Sequence, residues 1–118
     1  MTEKPNLDDV RAEMRRTVYQ KKGVSRLPGK ETLEYAVTFF KDAGYRAGLT
    51  GRPGQMYVMG GKEGLLPRVT GEIKIQTNVG KGKVTMVTMD STGEKLRDVM
   101  QEFHKSLRQL KPEPVESE

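Results

Sequence analysis

Residues 83–110, KVTMVTMDSTGEKLRDVMQEFHKSLRQL, carry the clearest structural signal in the chain. Val84 to Met89 form a run of β-branched and other apolar side chains without glycine or proline, which predicts a strand. Apolar groups fall on both parities, so the strand is expected inside a sheet and not at its rim. Ser91-Thr92-Gly93-Glu94 has the S-x-x-E form of a capping box, in which the hydroxyl accepts a backbone N–H of the first turn and the carboxylate reaches back to the cap. Leu96, Val99, Met100, Phe103, Leu107 and Leu110 then recur at spacings of three and four, the stripe of an amphipathic helix that Pro112 ends. Burying such side chains is worth roughly 1.5–3 kcal/mol each before conformational entropy is set against it, so this strand and helix need other elements to fold.

Working outward, Val69, Gly71, Ile73 and Ile75 alternate with Thr70, Glu72, Lys74 and Gln76, a half-buried strand that Asn78-Val79-Gly80-Lys81-Gly82 turns back into the first. Tyr45, Ala47 and Leu49 alternate in the same way, and Met56 to Met59 make another short strand after the turn Gly51-Arg52-Pro53-Gly54. A helix is predicted from about Lys30 to Ala43, with Leu33, Ala36, Val37 and Phe40 as its apolar stripe and Gly44 as its left-handed stop. Near the N-terminus, Asn6 followed by Asp8 and Asp9 marks a helix start, and Leu7, Val10, Met14 and Val18 give it a narrow stripe; Gly23 fits its stop, and Val24 to Pro28 reads as a linker.

The expected fold is therefore α+β: a four-stranded antiparallel meander sheet packed by two helices, with an additional N-terminal basic helix. The chain divides into a basic helical arm and linker over residues 1–28, an α+β domain over 29–110 and an acidic tail over 111–118. The tail joins two prolines to three acids with no large apolar side chain and is expected to be solvated and disordered.

Composition sets the outer bounds. The 118 residues are 34% hydrophobic and 31% charged, enough for one domain with a modest core but thin for two. The absence of cysteine excludes disulfides, thiolate metal sites and a cysteine nucleophile. No leader-like apolar segment follows Met1, and no apolar run approaches the roughly 20 residues of a membrane helix, so a cytoplasmic protein with no membrane partner is expected.

Reactive chemistry finds little footing. Gly82-Lys83 lacks the remaining residues of a P-loop, and Gly61-Lys62-Glu63-Gly64 has the G-x-x-G form of a nucleic-acid clamp but is followed by proline and a strand where a helix is required. The single histidine, His104, has no clustered carboxylates with which to build a zinc site or a nucleophile–base pair, and is expected beside the apolar stripe near a helix end. Asp90, Glu94, Asp98 and Glu102 recur every four residues, but Arg97, Lys105 and Arg108 interleave with them as on a water-facing helix side. No catalytic residue, metal, cofactor or small-molecule substrate is inferred.

The strongest functional signal is charge. The net charge is +5, and from Arg11 to Lys30 seven basic residues face the single acid Glu13. Clustered lysine and arginine bind phosphates by neutralisation and counterion release, which needs no fixed spacing. The expected function is a non-enzymatic nucleic-acid-binding module using Arg11, Arg15, Arg16, Tyr19, Lys21, Lys22 and Arg26, extended by loop residues Arg52, Lys62, Lys81 and Lys83, with Tyr19 available to stack on a base. The alternative is a protein-interaction or structural adaptor domain, homodimeric through the stripe of the N-terminal helix.

Overall fold

The computed structural model describes residues 6–79 and 84–110. Along them run α1 (Leu7–Thr17), β1 (Tyr19–Ser25), α2 (Gly29–Asp42), β2 (Arg46–Leu49), β3 (Gln55–Gly60), β4 (Val69–Val79), β5 (Val84–Ser91) and α3 (Glu94–Leu107). Lys81, Lys83, the glycines between β4 and β5, and the tail expected over 111–118 lie outside the described residues.

All strand pairs are antiparallel, in the order β1-β5-β4-β3-β2. The chain leaves β1 at one edge, crosses the sheet as α2 to the opposite edge, and returns strand by strand until β5 closes against β1. The α+β class is observed, but the sheet has five strands where four are expected, because residues 19–25 are a strand and not the end of a helix and a linker. β1 gives no alternating apolar signal: in Tyr19-Gln20-Lys21-Lys22-Gly23-Val24-Ser25 only Gly23 and Ser25 are buried. Its place comes from backbone pairing with β5, Tyr19 opposite Ser91 through Ser25 opposite Thr85. With a neighbour on each side, β5 is interior, as its apolar residues of both parities require.

α2 packs on β2, β3 and β4, α3 on β1, β5 and β4, and the two helices touch each other. Phe40, Met56, Val58, Ile73, Val87, Met89, Met100 and Phe103 are fully buried between helices and sheet. Where the helices meet, Phe40 and Phe103 lie with ring centroids 5.3 Å apart, and Tyr35 rests on Phe103 at 5.9 Å while its hydroxyl donates to Ser106 Oγ at 2.6 Å. The opposite face, with Gln20, Lys22, Lys74, Gln76, Thr88 and Asp90, is exposed or half-exposed. Among the described residues no helix is long and apolar enough to cross a membrane.

Two expected helix features are corrected. The N-terminal helix starts as read, with Asn6 Oδ1 accepting the Asp8 N–H at 2.9 Å, but it ends at Thr17. So shortened, it holds Arg11, Arg15 and Arg16 against Asp8, Asp9 and Glu13, and is not a basic helix. The capping box of α3 does not form either: Gly93 occupies the cap position at φ 101°, and Ser91 remains in β5, paired with Gly71 and Tyr19. The N–H groups at this end are met from far along the chain, Gly93 donating to Thr17 Oγ1 at 2.9 Å and Lys95 to the Glu63 carboxylate.

Candidate nucleic-acid interface

The candidate site lies where β1 runs beside α3. β1 is anchored at its far end by a small polar network: Leu27 N–H donates to Ser25 Oγ at 3.1 Å, Ser25 and Thr32 share a hydrogen bond of 2.8 Å, and the Thr32 and Thr85 hydroxyls donate to Leu27 O at 3.2 and 2.8 Å. Since Thr32 has one proton and gives it to Leu27 O, Ser25 is the donor between the two hydroxyls. In mid-strand, Gly23 lets α3 approach. A methyl carbon placed there would stand 2.8 Å from His104 Cδ2 and 3.2 Å from Leu107 Cδ1, so the imidazole sits directly over the strand backbone.

Alternation along β1 turns Tyr19, Lys21 and Gly23 to the side of α3, and Gln20, Lys22 and Val24 to the open face. Tyr19 and Lys21 thereby join Gln101, His104, Lys105 and Arg108 around a groove of about 330 Å³. Burial raises the Tyr19 phenol above its ordinary range. Burial also lowers the pKa of half-buried His104, and the charges of Lys21 and Arg108 lower it further. Lys105 has Glu102 at 3.6 Å, an exposed pair of the kind worth at most about 1 kcal/mol. Lys21 and Arg108 have no carboxylate within 4 Å among the described residues.

The other expected site residues scatter. Arg11 and Arg15 are exposed on α1, Arg26 follows β1, and Lys22 looks onto the open face beside Thr88 and Asp90. Arg52 lies in the turn between β2 and β3, across the sheet from β1. Arg16 is bound to Glu13 and lies 3.5 Å from Glu94; the Glu13 hydrogen bond and charge raise its pKa above the ordinary guanidinium range. Arg16 and Lys62 both line a separate hollow of about 500 Å³, where Glu13, Glu63, Glu94 and Asp98 outnumber Arg16, Lys62 and Lys95 by four to three. Burial, with Glu63 and Asp98, raises the Tyr45 phenol there. By that count the lining carries one net negative charge.

The groove's other cations, Lys105 and Arg108, were not legible as site residues. Their sequence signal is a basic last turn, which complements the negative end of any helix dipole and so points to no ligand by itself. Arg46 and Arg68 meet across a further hollow with Gly44, Gly60 and Gly61, away from β1.

The geometry defines a small α+β domain with a cation-lined flank. No family model, curated protein or solved structure matches this chain.

Proposed function

We propose that this chain is a small, non-enzymatic nucleic-acid-binding module whose contact surface is the flank formed by β1 and the end of α3. The observation that supports this is the convergence of Lys21, Lys105 and Arg108 around one groove beside Tyr19, with Glu102 as the near carboxylate. Cations held this way neutralise backbone phosphates and release counterions, while Tyr19 offers a ring to an unstacked base. Lys22, on the open face of the same strand, and Arg26, just beyond it, lie outside this groove. A fluorescence titration of labelled single strands and duplexes across salt tests it: log affinity should fall linearly with log salt, by about 0.7 to 0.9 per neutralised phosphate. Absence of binding at low salt, or binding indifferent to salt, overturns it.

A second reading, a protein-interaction module, is favoured by a separate observation. The α1 stripe leaves Leu7 61% and Met14 42% exposed, apolar surface that a partner or a second copy would cover. Light scattering decides it for the second copy: a concentration-dependent dimer that Leu7→Asp with Met14→Asp abolishes supports this reading.

A further inference from the structure

We propose that the groove between β1 and the last turns of α3 seats a single phosphate group, with Lys21 and Arg108 supplying charge and the His104 imidazole supplying an orienting hydrogen bond. The inference rests on the nucleic-acid reading above only in making that group a backbone phosphate; the same seat suits a free phosphate.

Three features of the groove carry it. First, its charge is surplus. The C-terminal end of a helix has a partial negative charge of about half a unit, which one cation offsets. Here Lys21, Lys105 and Arg108 converge, and among the described residues only Lys105 of these has a carboxylate partner, in a largely exposed pair. Second, the imidazole is held in place. Gly23 leaves no side chain between His104 and the strand, and the ring rests on the β1 backbone with Leu107 behind it. The Cδ2–Nε2 edge of the ring is the part nearest the strand, 2.8 and 3.1 Å from a Cβ placed at Gly23. Third, the donors differ in kind. A guanidinium matches two phosphate oxygens at once, an ammonium acts as a point charge, and Gln101 and Tyr19 add neutral groups at the rim.

The imidazole also couples the seat to protons. The groups facing it are Tyr19 and Lys21 from β1, and Lys105, Arg108 and Gln101 from its own helix, with Glu102 paired to Lys105. Burial and the neighbouring cations Lys21 and Arg108 lower the His104 pKa, which favours the neutral ring. An arriving phosphate reverses that balance. An opposite charge within about 4–6 Å favours the charged form, commonly by about one pKa unit or more, so the ring takes up a proton as the anion enters.

His104 is the single histidine of the sequence, so its ring proton resonances report on the groove without ambiguity. The experiment follows them by NMR in the full chain across pH, first alone, then with inorganic phosphate, then with a short oligonucleotide whose diester charge stays fixed through the histidine range. The expected result is an upward move of the His104 pKa by about one unit with both ligands. Lys21→Ala and Arg108→Ala should each reduce the move, and His104→Gln should still bind the oligonucleotide while losing the gain in affinity on acidification. A His104 pKa that neither ligand changes overturns the proposal. Salt-dependent oligonucleotide binding with His104 unmoved overturns the phosphate seat and leaves the nucleic-acid reading standing. A response to inorganic phosphate without oligonucleotide binding supports the seat as a free-phosphate site and overturns that reading.

Discussion

The stretch from Arg16 to Gly23 meets α3 at both of its ends, and the two meetings have opposite character. At the N-terminal end, Thr17 accepts the Gly93 N–H, Glu63 accepts the Lys95 N–H, and Arg16 is held by Glu13 and Glu94. At the C-terminal end, Lys21 joins Lys105 and Arg108 around His104, with Glu102 the near acid. A helix N-terminus gathers carboxylates because its N–H groups attract them, and those carboxylates then occupy the arginine beside them. A helix C-terminus gathers cations in the same way, but its partial charge is too small to occupy three. Cations close together in sequence thus end in surroundings of opposite sign, and among the described residues Lys21 and Arg108 of the second set have no carboxylate partner.

The largest expected effect tests that contrast directly. Lys21→Ala with Lys105→Ala and Arg108→Ala should lower oligonucleotide affinity near 0.1 M salt on the order of a hundredfold, and reduce the salt slope by about two to three. Arg16→Ala with Lys62→Ala, at the carboxylate-rich end, should leave both nearly unchanged. Equal losses from the two sets would mean that the ends of α3 do not differ as their ion pairs indicate, and that affinity follows overall charge alone.

Stability should show the reverse asymmetry. Thr17→Val keeps the side-chain volume but leaves the Gly93 N–H without its acceptor in a buried position, which costs about 1–3 kcal/mol. Urea denaturation with an unchanged m-value measures it. Lys21→Ala, on an exposed side chain without an ion partner among the described residues, should stay within about 0.5 kcal/mol of the parent chain.

How much of this was legible follows from where each element gets its stability. α2 and α3 bury a stripe of large apolar side chains, so Leu33, Phe40, Met100 and Phe103 reveal them by spacing alone. β5 and β4 announce themselves by β-branched content and alternation. β1 does neither: Gly23 and Ser25 are what it buries, and lysines on an edge strand serve to discourage pairing with another chain while contributing nothing to a hydrophobic pattern. Without β1 beside α3, nothing brings Lys21 to Lys105 and Arg108, which lie more than 80 residues further on. The candidate groove was therefore invisible as a unit, although Tyr19 and Lys21 were picked out for their chemistry. The surroundings of Arg16 were legible only in part, since Glu13 stands three residues before it while Glu94 is remote in sequence.

Gly23→Ala probes the C-terminal end through packing. The added methyl meets the His104 ring, and with partial relief from the reduced freedom of the unfolded chain the net cost should be about 1 kcal/mol, read by thermal or urea unfolding. The same ring gives a pH signature. Its folded pKa lies below the ordinary 6.5, so the unfolded chain binds more protons in the interval between the two values, and stability rises with pH there. The full contribution is present above 6.5 and is lost as pH falls through the folded value. His104→Gln should flatten that part of the stability profile and leave the carboxylate region below it intact.

The smallest effect is expected where the local sequence motif asks for a large one. If Ser91 capped α3, its replacement by alanine would cost about 1 kcal/mol, as losing an N-cap hydroxyl commonly does. In the structure its hydroxyl is buried in β5 with no hydrogen-bond partner among the described residues, and the α3 N–H groups at Gly93 and Lys95 are met by Thr17 and Glu63 instead. Ser91→Ala then removes a polar atom that gained nothing on burial, and should change stability by less than about 0.5 kcal/mol or raise it slightly. A loss of a full kilocalorie would place the cap back in the local sequence and release Thr17 from its role. The N-terminal end of α3 would then no longer depend on the end of α1 that leads into β1, and the two ends of α3 would have to be explained separately.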